Sequence, residues 1–451
     1  MIVSQAFAGK RYAVLGLARS GLTAVESLLA SGAHVMAWDN RNEPRESLEG
    51  RVELADPVSA DLTGYEAVVV SPGVPLNSHP IAQAAASAGV PVIGDIELFA
   101  RARADLPAHR VVGITGTNGK STTTSLVAHL LRSAAVPVTV GGNIGVPILG
   151  QKPLPPGGVY VLELSSYQID LTQSLDCDVA ALLNITPDHL DRYDGFAAYA
   201  AAKARLFDML GAGHVAVFGT GDAETDAIAQ GQLHRSDLKA CIVADGAGLV
   251  DQQPNWPSLQ GPHNLQNAAV AVAIVSSLGL TAPQWERALP TFRGLPHRME
   301  RVAEAGGVLY INDSKATNPA SAAPALAAFP PSPGPSGPRP RIHWILGGLP
   351  KEDTLDDCKP WFGNVAAAYT IGDAGPAFAE ILEPYTHVNR SEMLAGAVRE
   401  AMAAARPGDV VMLSPACASF DQFRDFEARG DQFRQIIEAL LEGQAASGGQ
   451  G

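Results

Sequence analysis

Lys120 and Ser121 close the run Gly113-Ile114-Thr115-Gly116-Thr117-Asn118-Gly119-Lys120-Ser121-Thr122, which follows the β-branched stretch Arg110-Val111-Val112 and leads into a helical pattern over 123–132. Strand, glycine-rich turn, Lys-Ser and helix together make a phosphate cradle. Backbone N–H groups line the turn, the helix N-terminus adds partial positive charge, the lysine reaches β/γ-phosphates and the serine can ligate Mg²⁺. ATP or GTP is the first ligand such a loop suggests. The generic pattern has a glycine five residues before the glycine of Gly-Lys, but that position is Ile114, with Gly116 three before and Gly113 six before. The loop is a variant, which weakens an ordinary NTPase reading.

Other polar residues gather where apolar runs end. Glu163 closes Tyr160-Val161-Leu162-Glu163, where a carboxylate beside a phosphate loop can hold Mg²⁺ directly or through water. His189 stands in Asn184-Ile185-Thr186-Pro187-Asp188-His189-Leu190-Asp191-Arg192-Tyr193; a lone histidine is usually structural, but two neighbouring polar strand ends favour a functional one. Lys203 lies on an Ala-rich helix, where a solvated surface lysine is the default reading, and Asn264 opens another helix, where a cap is the simplest one. Further on, Asn312-Asp313-Ser314-Lys315-Ala316-Thr317-Asn318, Gly347-Gly348-Leu349-Pro350-Lys351 and Ser414-Pro415-Ala416-Cys417-Ala418-Ser419 each follow a strand. Loops at one edge of a sheet form a second binding surface, on which Lys351 and Ser419 can hold a carboxylate.

Three successive α/β units must position these groups. The first pairs strand Arg11-Tyr12-Ala13-Val14-Leu15 with the turn Gly16-Leu17-Ala18-Arg19-Ser20-Gly21, and strand His34-Val35-Met36-Ala37-Trp38 delivers Asp39. This approaches a dinucleotide fingerprint, with the acid about 20 residues on but the middle glycine missing. A dehydrogenase is the reading it suggests alone. Strand 67–70 runs into Ser71-Pro72-Gly73; strands at 159–164 and 179–183 with helices at 196–210 and 264–278 continue the middle unit, and strands at 308–311, 342–346, 368–371 and 410–413 build the third. Alternation of this kind implies doubly wound parallel sheets. Pro330 to Pro340 reads as an extended surface loop, and the tail from Gly443 to Gly451 as disordered.

At 451 residues the chain exceeds one core's capacity, so two to three domains are expected. Thirty-two Lys and Arg against 46 Asp and Glu give a net charge of −14, a field that repels nucleic acid and anionic membranes. No membrane span or signal peptide is indicated, so a cytoplasmic location is expected. The four cysteines, Cys177, Cys241, Cys358 and Cys417, are too scattered for a zinc or disulfide framework and read as buried small hydrophobes.

Assembled in order, the motifs resemble the Mur ligase family over nearly the whole chain. Thr115-Gly116-Thr117-Asn118-Gly119-Lys120-Ser121-Thr122 is that family's own phosphate loop, which accounts for the glycine offset. Gly141-Gly142-Asn143-Ile144-Gly145, Leu162-Glu163-Leu164-Ser165-Ser166, Asp188-His189-Leu190-Asp191-Arg192-Tyr193, His263-Asn264, Leu295-Pro296-His297-Arg298 and the 312–318 and 414–419 motifs follow in family order. The last two take the form found in members that add D-glutamate to UDP-N-acetylmuramoyl-L-alanine.

The resemblance implies three domains: a Rossmann-like UDP-binding domain at 1–95, a central P-loop ATPase-type doubly wound sheet at 96–298 and a Rossmann-like amino-acid-binding domain at 299–451. It implies an ATP-dependent ligase of peptidoglycan precursor synthesis that binds Mg²⁺ at two sites and acts as a monomer. By family position, Gly116, Thr117, Asn118, Gly119, Lys120, Ser121, Thr122, Asn264, Arg298 and Asp313 contact ATP, with Lys120 on the transferring phosphoryl group. Ser121 and Glu163 hold one Mg²⁺, and His189 with a carbamylated Lys203 serves the second. Arg19, Ser20, Asp39, Asn40, Gly73 and Asn143 contact the UDP substrate; Thr317, Lys351, Ser419 and Phe426 surround D-glutamate. A ligase of the same superfamily with a different amino acid, a dehydrogenase and a passive nucleotide-binding module are the alternatives.

Overall fold

The computed structural model of the chain describes residues 1–188, 192–333 and 337–448. They divide into two compact units, Met1–Ala247 with Gln266–Ala288, and Gly248–Leu265 with Leu289–Gly451. The first unit holds two parallel sheets. One is built from β1 (Arg11–Leu15), β2 (His34–Trp38), β3 (Glu53–Leu54), β4 (Ala67–Val70) and β5 (Val92–Ile93), in the order β3-β2-β1-β4-β5. The other takes β6 (His109–Thr115), β7 (Val138–Gly142), β8 (Gly158–Glu163), β9 (Val179–Leu182), β10 (Val215–Phe218) and β11 (Ala240–Val243), in the order β11-β10-β9-β6-β8-β7. The second unit carries β12 (Glu300–Ala305), β13 (Val308–Asn312), β14 (Ile342–Gly347), β15 (Val365–Ile371), β16 (His387–Glu392) and β17 (Val410–Leu413), ordered β12-β13-β17-β14-β15-β16 with only β12 antiparallel.

Strands buried on both faces are mostly apolar, which is why β4, β9 and β17 read as unbroken hydrophobic runs, while β8 ends in buried Glu163 and β14 carries buried His343, bonded to Tyr369 and Asp409. Register then fixes what meets at the strand ends. Leu15 is level with Trp38 and Val70, so Gly16, Asp39 and Ser71 emerge together. Ile114 is level with Glu163, and Thr115 with Leu182. In the third sheet Leu413 is level with Asn312 and Ile345. Each trio sits at a carboxyl edge, where open α/β sheets bind ligands.

A single hydrophobic cluster runs between the first two sheets, including Phe7, Val25, Phe99, Tyr160 and Ile169. The helix Asp95–Ala102 lies in that seam: Phe99 meets Tyr160 edge-on at 5.1 Å, and the buried Glu97 carboxylate accepts from the amides of Gln173 (2.8 Å) and Ser174 (2.9 Å). The third sheet has a cluster on each face, Trp344 and Leu346 in one, Ile345 and Tyr369 in the other. The alternation along β14 accounts for this division.

Two expectations are corrected. The tail is helical as far as Gly448, in the helix Phe426–Gly448, because Gln444-Ala445-Ala446-Ser447 contains no helix breaker and simply extends an already formed helix. Cys241 is half-buried, lying on the edge strand β11, whereas Cys177, Cys358 and Cys417 are buried as expected. Within 330–340, Ser332 and Arg339 pair through reciprocal backbone hydrogen bonds of 2.9 and 2.8 Å, closing the base of the proline-rich loop. No helix among the described residues is long and apolar enough to cross a membrane.

Candidate functional site

The phosphate-loop cluster is built at the carboxyl edge of the second sheet, where β6 has β8 on one side and β9 on the other. The backbone turns sharply out of β6: Gly119 has φ +82°, and a Cβ there would run into the Asn267 amide. Asn184, just past β9, holds the loop from beneath, its Oδ1 accepting from the Asn118 amide at 2.9 Å and its carbonyl from the Thr117 amide at 2.9 Å. Thr117 Oγ1 lies 3.1 Å from the Tyr199 hydroxyl. The helix Lys120–Ser133 then begins, with Ser121 buried in its first turn.

Two ammonium groups converge on one carbonyl. Lys120 Nζ donates to the Gly116 and Thr117 oxygens at 2.8 and 2.7 Å, and Lys203 Nζ donates to Gly116 O at 3.0 Å. Lys203 is 1% exposed and sits 4.6 Å from the centre of the Tyr199 ring. Burial, reinforced by the Lys120 charge, pulls its pKa down to about 7. The surface reading of this lysine is therefore corrected: the helix Gly195–Asp208 turns this part of its Ala-rich side toward the phosphate loop.

Glu163 is buried beside them. Its Oε1 accepts from Asn143 Nδ2 at 3.1 Å, while its buried Oε2 has no hydrogen-bond partner among the described residues. A buried carboxylate oxygen without a donor among the described residues is a hard-oxygen ligand that fits Mg²⁺. His189 lies outside the described residues.

The first sheet's edge is prepared differently. Asp39 Oδ2 accepts from the Leu17 amide at 2.7 Å and Oδ1 from the Arg41 amide at 2.9 Å, with the Arg41 guanidinium at 3.1 Å. Burial opposes ionisation of Asp39, but these hydrogen bonds outweigh it and hold its pKa down to about 2. Asp39 thus pins the Gly16 turn. Arg19 and Ser20 open the helix Arg19–Ala30, and Arg19, Asn40 and Gly73 are exposed at the same edge.

In the second unit, the loops after β13, β17 and β14 lie side by side. Ser414 Oγ donates to Asp313 Oδ2 at 2.8 Å, and the Met299 amide to Oδ1 at 3.0 Å. Burial nevertheless pushes the Asp313 carboxyl up to about 7, with Arg298 among the groups opposing the shift. Leu349 and Ala418 exchange backbone hydrogen bonds of 3.0 Å, and Lys351 Nζ reaches Thr317 Oγ1 at 3.3 Å. Lys315 Nζ lies 3.8 Å from the centre of the Phe426 ring, and Ser419 is buried nearby in sequence from the 414–418 turn. Asn264 lies inside the helix Pro262–Ser277 and donates its Nδ2 to Gln260 O at 3.0 Å, which replaces the expected capping role.

Family models match in chain order: a Mur ligase MurD-like N-terminal domain over 10–94, a Mur ligase middle domain over 114–244 and a Mur ligase glutamate ligase domain over 297–417. A UDP-N-acetylmuramoylalanine–D-glutamate ligase of Novosphingobium aromaticivorans is 70% identical over 446 residues, covering 99% of this chain and 98% of that protein. The chain belongs to the Mur ligase family. Ligases of the same description from Sphingopyxis alaskensis and Zymomonas mobilis are 59% and 52% identical, each covering 98% of this chain and 100% of the relative. The Mur ligase fold is likewise that of a MurF ligase from Thermotoga maritima solved with ADP, at TM-score 0.59 and 15% identity, covering 97% of this chain and 96% of that one.

Motif reading of this Mur ligase missed Arg429. Buried on the helix Phe426–Gly448, it donates to Ser314 Oγ (3.0 Å), Ser314 O (2.9 Å), Cys417 O (3.0 Å) and Ala418 O (3.1 Å), tying two of the three loops together. Burial lowers its pKa to about 10. A signal was present: Arg429 shares a helical stripe with buried Phe433 and Ile437, an odd place for a cation without carbonyls to meet.

Proposed function

We propose that this chain uses ATP to join D-glutamate to UDP-N-acetylmuramoyl-L-alanine, as a cytoplasmic monomer in peptidoglycan precursor synthesis. The observation that carries this reading is the 70% identity, across 99% of the chain, to a ligase of that description. Functionally, 1–95 binds the UDP group, 96–298 binds ATP and 299–451 carries the amino acid.

The substrate carboxylate attacks the γ-phosphorus of ATP, ADP leaves, and the resulting acyl phosphate exposes an electrophilic carbonyl. The D-glutamate amine attacks that carbon, inorganic phosphate departs, and the nitrogen loses its proton as the amide forms. Lys120 leaves the Gly116 and Thr117 carbonyls to meet the transferring phosphoryl oxygens, while the amides of 116–122 cradle the phosphates. Ser121 and Glu163 would hold one Mg²⁺, and His189 with a carbamylated Lys203 would hold a second; bound there, Mg²⁺ would supply charge neutralisation to the phosphates. Asn143, which donates to Glu163, would contact the muramoyl part of the substrate and steady the carboxylate that would hold the metal. Asn264, Arg298 and Asp313 contact the nucleotide. Arg19, Ser20, Asp39, Asn40 and Gly73 hold the UDP moiety. Thr317, Lys351, Ser419 and Phe426 enclose D-glutamate, Lys351 and the Ser419 hydroxyl taking carboxylates.

Phosphate release measured with ATP, UDP-N-acetylmuramoyl-L-alanine and single amino acids tests this. D-glutamate alone is expected to support turnover; equal rates with L-alanine or meso-diaminopimelate overturn the assignment.

A further inference from the structure

Arg192 follows β9 in chain order, yet its guanidinium spans to the first sheet. Nη2 donates to Val74 O at 3.0 Å and Pro72 O at 3.4 Å, and Nη1 to Gly73 O at 3.4 Å. Three successive carbonyls of the turn leaving β4 therefore share one planar fork, a geometry that arginine's rigid array of donors can meet and a lysine cannot. The guanidinium carbon lies 4.3 Å from the centre of the Tyr167 ring, and Tyr167 stacks on Tyr193 at 5.9 Å and 15°. Tyr193 is anchored in turn, its hydroxyl donating to Asp170 Oδ2 at 2.7 Å. At its near end the turn is tied to the Gly16 loop, Ser71 Oγ donating to Gly16 O at 2.7 Å. Beside the clamp is a cavity of about 330 Å³ lined by Val74, Leu76, Asp170, Arg192 and Arg205 among others, so the turn has room to move once released.

We propose that Arg192 is a positioning residue for the UDP substrate: it fixes the 71–74 turn, and through Ser71 the Gly16 loop, in register with the nucleotide-bearing sheet. The assignment rests on the ligase reading above, since it names that substrate. Its action is on binding geometry, because Arg192 spends its donors on backbone carbonyls of the protein.

The test uses the full chain with Arg192→Ala, Arg192→Lys and Tyr167→Phe. Arg192→Ala is expected to raise KM for UDP-N-acetylmuramoyl-L-alanine roughly tenfold while KM for ATP and for D-glutamate stays within about twofold. Arg192→Lys recovers only part of the loss, and Tyr167→Phe, which keeps the ring, is close to the parent. Hydrogen exchange of the substrate-free protein is expected to quicken at the amides of 71–74 in Arg192→Ala, a readout that needs no turnover. Unchanged exchange there, or an equal rise in all three KM values, overturns the clamp. Faster exchange in Arg192→Ala, with a parent enzyme that fails to turn over this substrate pair, overturns the ligase reading and leaves the clamp itself supported.

Discussion

The two strand-end clusters solve opposite electrostatic problems. Around the phosphate loop, charge is concentrated and incompletely matched: two lysines share the Gly116 carbonyl, and Glu163 keeps a buried oxygen without a donor among the described residues. Around the third sheet's edge the buried cation is saturated, with Arg429 donating to four oxygens and Asp313 accepting from Ser414 and Met299. The first arrangement stores electrostatic potential for a multiply charged ligand; the second spends its charges on holding loops so that a few exposed groups, such as Lys351, face a small one. Preorganisation is thus purchased by strain in charge at one site and by network completeness at the other.

Substitutions can break this contrast. The largest effect is expected from Glu163→Gln, which should reduce phosphate release by roughly a hundred- to a thousandfold. Its thermal midpoint should not fall, since a buried carboxylate becomes a neutral amide; a clear drop in midpoint would show that Glu163 is a scaffold group. Arg429→Met should do the reverse in kind, costing about 3 kcal/mol in urea unfolding by leaving buried carbonyls without donors. Should Arg429→Met prove as stable as the parent, the network would not be what holds the loops. Lys351→Ala, at an exposed position, should raise KM for D-glutamate about tenfold with ATP binding and stability unchanged.

The smallest and sharpest test is the pH dependence of stability. In the uncarbamylated protein Lys203 is depressed to about 7 from 10.5, so the unfolded chain binds more protons in that window and stability should rise with pH across it. Asp313 is raised to about 7 from 3.8, so the folded chain binds more protons and stability should fall as pH rises between those values. Chemical denaturation of Lys203→Met and Asp313→Asn across pH should flatten the upper and lower slopes respectively. Either variant that leaves its slope intact removes that residue from its side of the contrast.

Much of the fold was legible because buried parallel strands announce themselves as apolar runs, and β2, β4 and β17 fall where the residue pattern places them. The phosphate loop was legible because glycine, lysine and serine at that spacing have few structural uses. Lys203 was not, from its residues alone: alanine covers both buried and exposed faces of the helix Gly195–Asp208, so no periodic pattern marks the lysine as facing inward. Arg429 escaped because three of its four acceptors are backbone carbonyls, which leave no trace in side-chain motifs. Arg192 stood inside a recognisable motif, but its targets lie 118–120 residues earlier in the chain, and only the fold brings them together.

The seam filled by the helix Asp95–Ala102 has a thermodynamic consequence. Because one hydrophobic cluster serves a face of each of the first two sheets, and Glu97 ties that helix to the amides of 173 and 174, melting either sheet strips the other of part of its core, while the first sheet keeps a second cluster, with Val68, Ile81 and Ala85, on its other face. Three carboxyl edges are thus carried by two compact units, each expected to unfold as a unit. Calorimetry should resolve two transitions, and a lesion under the first sheet's carboxyl edge should also lower the stability of the second sheet, however far it lies from the phosphate loop.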